Sequence, residues 1–195
     1  MNGFRAALAL AAALLLSACY PPTTSHPVGT TVGLTLDPAL TGLWENAVVA
    51  NPDERGLYFH FLPTLDGKLT VLMVQSGDKP DADWNVVELT TVKLGANRFM
   101  NARLTMSDGK PDEGAPKGTI PLLYRIDAKD RMTLFLMDEK AVKAAILAGK
   151  IKGTIEKGDM GDAVITADPA ALDKFMQTPA GLALFAKPTL LKKME

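Results

Sequence analysis

Apolar and polar positions alternate through the middle of the chain in short runs separated by turn-forming residues, which is the pattern of successive β-hairpins. Residues 57–62 and 68–75 flank a turn holding Asp66-Gly67. Residues 84–94 and 98–106 flank Gly95-Ala96-Asn97, and 120–126 and 132–137 flank a turn over 127–130. Residues 107–118, rich in Gly, Pro, Asp and Lys, are expected as an exposed loop. The run 68–75 is apolar on both faces, with Leu69, Val71 and Met73 on one and Thr70, Leu72 and Val74 on the other. A sheet solvated on one side alternates more cleanly, so helices, a second sheet layer or a ligand should cover the second face.

The period changes in the C-terminal third. Asp138 can cap a helix over 139–148 that ends at Gly149, with Val142, Ala145 and Ile146 on its apolar side. Asp168-Pro169 is a capping residue followed by proline at the first helical position, and Thr178-Pro179 repeats the device. Leu172, Phe175 and Met176 line the first of these helices, and Leu182 and Phe185 face inward from the second. Between them, 151–157 and 163–166 predict another hairpin, and 189–193 a last strand. The expected fold class is α+β and β-rich: an antiparallel sheet or partly open barrel built from successive hairpins, with two or three short helices in the C-terminal third.

The N-terminus follows a different pattern. Arg5 precedes an unbroken apolar run, 6–16, which is about half the roughly 20 residues a spanning helix needs. A short cationic start, an apolar segment and small residues make a secretory signal. Here the small residues lead into Leu16-Ser17-Ala18-Cys19, and Cys19 is the only cysteine of the chain. That tetrad resembles the lipobox of bacterial lipoproteins at all four positions. The resemblance implies cleavage between Ala18 and Cys19 and acylation of Cys19. In lipoproteins of enteric type an Asp after the cysteine favours retention in the inner membrane. Tyr20 departs from that pattern, so the expected location is the inner leaflet of the outer membrane, facing the periplasm. The expected organisation is a signal peptide over 1–18, a lipidated Cys19 with a Pro/Thr-rich tether over 19–37, and one globular domain over 38–195.

Composition narrows the chemistry. There are 21 basic and 22 acidic residues, for a net charge of −1. That balance leaves no electrostatic footprint for nucleic acid. There are two histidines, His26 in the expected tether and His60 inside a strand-like run. With Cys19 acylated, the usual His/Cys zinc sites have no ligand set, so no metal or cofactor is expected. No Gly-x-Ser-x-Gly, phosphate-cradling or dinucleotide-binding motif occurs. Asp81-Ala82-Asp83-Trp84-Asn85 starts like a calcium loop, but Val86 and Val92 stand where glycine and glutamate are required. No catalysis is expected; a periplasmic hydrolase recruiting His60 is the weakest alternative.

Thr41-Gly42-Leu43-Trp44-Glu45 resembles the Gly-x-Trp signature at the first strand of lipocalin-like barrels. That resemblance implies an up-and-down barrel whose end the tryptophan plugs. The helices and hairpin after Lys140 depart from the simple lipocalin plan. The expected function is a membrane-anchored, non-catalytic domain that binds an apolar or lipid-like ligand. Two-sided apolar strands and the methionines Met73, Met100, Met106, Met132 and Met137 motivate it. Trp44, Tyr58, His60 and Tyr124 are the candidate ligand-lining residues, chosen for their amphipathic character. The alternative is an accessory subunit that docks an envelope protein partner through 107–118 or an edge strand.

Overall fold

The computed structural model describes residues 21–47, 56–75, 83–111, 113, 118–128, 130–156 and 163–194. The signal segment 1–18, Cys19 and Tyr20 lie outside the described residues, as do Asp81 and Ala82 of the calcium-like stretch.

Eight strands close into one antiparallel barrel. In chain order these are β2 (Gly42–Asn46), β3 (Leu57–Pro63), β4 (Leu69–Gln75), β5 (Asp83–Leu94), β6 (Asn97–Ser107), β8 (Ile120–Ala128), β9 (Arg131–Met137) and β12 (Phe185–Lys193). Each pairs with the next, and β12 returns to β2 with Leu191 opposite Asn46 and Lys193 opposite Trp44. The hairpins expected from the alternation are all present. The barrel is closed, where the pattern alone allowed an open sheet. Two-residue β7 (Lys110–Pro111) only extends the tip of β6.

Register explains which residues face the interior. Successive side chains of a strand point to opposite sides, and the burial of β3 and β4 alternates accordingly. Leu57, Phe59 and Phe61 pair across to Gln75, Met73 and Val71, and Val71 to Val87. Apart from Gln75, these inward positions join Met100, Ala102, Leu134 and Leu191 in one buried cluster, the barrel interior.

The chain between β9 and β12 forms a second layer. It holds helix α1 (Glu139–Leu147), strands β10 (Gly153–Ile155) and β11 (Ala163–Ile165), and helices α2 (Pro169–Met176) and α3 (Pro179–Leu182). The expected caps are made: Asp138 accepts from the Ala141 N–H, Asp168 from Ala171, and Thr178 Oγ1 from Gly181. Their apolar faces bury a second cluster with the outward residues Val92, Phe99 and Leu123 of β5, β6 and β8. The Phe99 and Phe185 rings meet there at 5.7 Å between centroids. The cover therefore lies over this wall. On the outer side of β4, Leu72 and Val74 are half-buried beside their cross-strand neighbours His60, Val86, Tyr58 and Trp84.

The segment expected as a tether is part of the folded body. Thr23–Thr24 form strand β1, parallel to β11, and Thr24 also exchanges backbone hydrogen bonds with Thr119. Val28 is fully buried, and the Asn101 carboxamide bonds both its N–H and its carbonyl. Thr35 bridges Thr91. Prolines and threonines suggested a solvated linker, yet backbone groups satisfied by Asn101, Asp173 and two strands make this stretch a strap across the barrel wall. Among the described residues no helix is long and apolar enough to cross a membrane.

Candidate functional site

The strap ends by closing one mouth of the barrel. Asp37 caps a single 3-10 turn, Pro38–Leu40, and Leu40 is fully buried. Trp44, also fully buried, donates its indole N–H to the Leu40 carbonyl at 2.7 Å. Tyr124 donates its hydroxyl to Asp37 at 2.8 Å, and Arg98 pairs with the same carboxylate oxygen at 3.3 Å. Burial, then the Asp37 carboxylate, pushes the Tyr124 phenol well above its ordinary range. Lys193 lies over the Trp44 ring, 5.4 Å from its centroid. Gly42 leaves room for that arrangement, since a Cβ there would meet the Lys193 side chain at 3.0 Å.

Above this plug the barrel holds a cavity of about 90 Å³. Its wall comes from every strand of the barrel, with Phe59, Phe61, Val71, Met73, Val87, Leu89, Met100 and Leu134 among the lining residues. Ala102 is the one alanine among the described lining residues. The polar lining residues are Asn46, Asn85 and Thr189, which stand toward the end opposite the plug. None of the lining side chains carries a charge. A wall of this kind favours apolar matter and gives a polar group at its rim neutral partners. Inside, two methionines allow the walls to adapt, because thioether side chains repack at low cost.

The four residues chosen from sequence are not brought together around this space. Trp44 and Tyr124 belong to the plug beneath it and do not line it. Tyr58 and His60 occupy the outward register of β3, where both are half-buried. Amphipathic character selects residues that need one polar partner, and such residues sit at barrel ends and on the outer wall. The lining follows from the period-two alternation itself, which was visible in 57–61 and 69–73. Of the five methionines singled out, Met73 and Met100 line the cavity, while Met132 and Met137 are buried in the two cores. Cys19 and Ala18 lie outside the described residues.

Compared with protein families, curated proteins and solved structures, the chain has no match.

Proposed function

We propose that this chain is a lipid-anchored envelope lipoprotein whose barrel holds an apolar, lipid-like ligand without transforming it. The observation that carries this reading is the uncharged cavity inside a closed barrel with one plugged end. A fold that only needed a packed core would gain by filling the space: at roughly 24 cal/mol per Å³, a cavity of 90 Å³ costs about 2 kcal/mol. Its size suits a slim aliphatic segment, being smaller than the roughly 150 Å³ cavity known to admit benzene. The Leu16-Ser17-Ala18-Cys19 tetrad supports acylation at Cys19, and Tyr20 supports the inner leaflet of the outer membrane as the destination.

Ala102→Leu tests the lumen. The added carbons enter the cavity, so the variant should unfold at the same or a higher temperature. Its affinity for a fluorescent fatty acid should fall at least about tenfold. Native mass spectrometry of protein taken from its own envelope should show an adduct that disappears on denaturation. Bare protein in that spectrum, together with unchanged probe binding by Ala102→Leu, would sink the carrier reading.

A further inference from the structure

We infer that the unplugged end of the barrel faces the bilayer, so that its occupant is an acyl chain taken directly from the leaflet to which the protein is tied. This rests on the proposed Cys19 anchor and on the lumen as the binding site.

The strap supplies the first argument. Thr23 and Thr24 are buried, and Thr24 exchanges backbone hydrogen bonds of 2.8 and 2.9 Å with Thr119. A Cβ on Gly118 would come within 2.7 Å of the Thr24 carbonyl oxygen and 3.1 Å of the Thr23 side chain. Gly118 and Thr119 lead directly into Ile120, which begins β8 and lines the cavity. The strap is thus clasped to the barrel rim at the unplugged end. Cys19 precedes Thr23 by four residues, which span at most about 14 Å when fully extended. A free tether over the whole 19–37 segment would have allowed roughly 60 Å and any orientation. Clasped at Thr23, the anchor holds that rim within reach of the membrane surface.

Rim chemistry supplies the second. Asn85 and Thr189 offer amide and hydroxyl groups where the cavity approaches that end. Gln75, on the inward register of β4 beyond Met73, has a buried Oε1 with no hydrogen-bond partner. A buried acceptor left unsatisfied is costly. A headgroup donor, the ammonium of phosphatidylethanolamine or a headgroup hydroxyl of phosphatidylglycerol, would satisfy it. The opposite end is closed by Trp44, Leu40 and the Asp37–Tyr124 bond, so a chain has one way in.

Two positions report the orientation. Lys110, exposed on β7, lies at the unplugged end, and Leu65, exposed in the β3–β4 turn, lies at the plugged end. Full-length acylated protein carrying Lys110→Cys or Leu65→Cys would be labelled with a fluorophore and placed in phosphatidylethanolamine/phosphatidylglycerol vesicles holding a nitroxide lipid. The label at position 110 should be quenched at least about twice as strongly as that at 65. Equal quenching, or stronger quenching at 65 through insertion of the exposed Leu62 and Leu65, overturns the inference. A second arm inserts a flexible spacer of about 20 Gly and Ser residues between Tyr20 and Pro21. Uptake of a fluorescent acyl-labelled phosphatidylglycerol from vesicles should slow at least about tenfold, while binding of a soluble fluorescent fatty acid stays unchanged. Unaltered uptake overturns the inference with the carrier reading intact. Loss of fatty-acid binding in the parent protein, or an unacylated Cys19 by mass, removes the reading beneath it.

Discussion

Asp173 is a buried carboxylate that serves the backbone of a distant segment. It is 3% exposed and accepts from the Gly29 N–H at 2.6 Å, the Thr31 N–H at 3.0 Å and the Thr31 hydroxyl. Hydrogen bonds to a charged acceptor contribute about 1.5–3 kcal/mol each, and bonds that share one acceptor are not additive. Asp173→Ala should therefore lower unfolding stability by about 2–4 kcal/mol in urea, and Asp173→Asn by less, since its carbonyl can keep one bond. Equal stability of all three forms would show that the strap is not held there. Tyr124 makes a pH-dependent contribution of known sign. Its phenol is held protonated in the fold, while an unfolded tyrosine ionises near pH 10. Above that pH the unfolded state binds fewer protons, so stability falls as pH rises, by up to about 1.4 kcal/mol per unit. Urea midpoints from pH 8 to 11 should decline more steeply for the wild type than for Tyr124→Phe. Parallel declines would contradict the assignment. Neither residue was marked by the sequence in this role. An aspartate inside a helix reads as a solvated face until the strap that covers it is placed.

Elements were more legible than residues because their signals are local. Asp168-Pro169 and Thr178-Pro179 placed two helix starts, and the Asp66-Gly67 and Gly95-Ala96 turns placed two hairpins. What could not be read locally was the strap, whose strand and side-chain partners lie far along the chain. The same distinction separates two glycines. Gly149 ends α1 with φ at +65°, and a Cβ there would meet nothing within 4 Å. Its demand is conformational, and Gly149→Ala should cost about 1 kcal/mol. Gly181 sits in α3 against α2, where a Cβ would lie 2.1 Å from the Phe175 carbonyl oxygen. Backbone cannot yield as a side-chain tip can, so Gly181→Ala must push α3 off α2 and disturb the buried Phe175 and Met176. Thermal unfolding should show a loss several times that of Gly149→Ala. The reverse order would mean that the α2–α3 contact is loose.

At the scale of the molecule, closure distinguishes a barrel from the open sheet that alternation also permits. Hairpin periodicity specifies each strand's neighbour in sequence, but nothing local states that the last strand must find the first. What draws β12 to β2 is the inward register of Trp44 and Leu191, both fully buried, which an open edge would leave in water. Burying such side chains stabilises by roughly 1.5–3 kcal/mol each, enough to favour the seam over two solvated edges. Closure also removes the unpaired strand edges that would otherwise invite another chain. The seam is read directly by two amides: Ala47 N–H donates to the Leu190 carbonyl at 2.9 Å, and Met194 N–H to the Leu43 carbonyl at 2.8 Å. Both residues lie at element ends, where an open sheet would leave their amides exchanging at the rate of free peptide. In a closed barrel their exchange is limited by opening of the seam. Residue-resolved hydrogen exchange should find both protected by at least about a hundredfold, and filling the lumen through Ala102→Leu should leave that protection in place. Free exchange at Ala47 and Met194, with β3 and β4 still protected, would mean that the wall is split between β12 and β2 and that its apolar interior opens sideways.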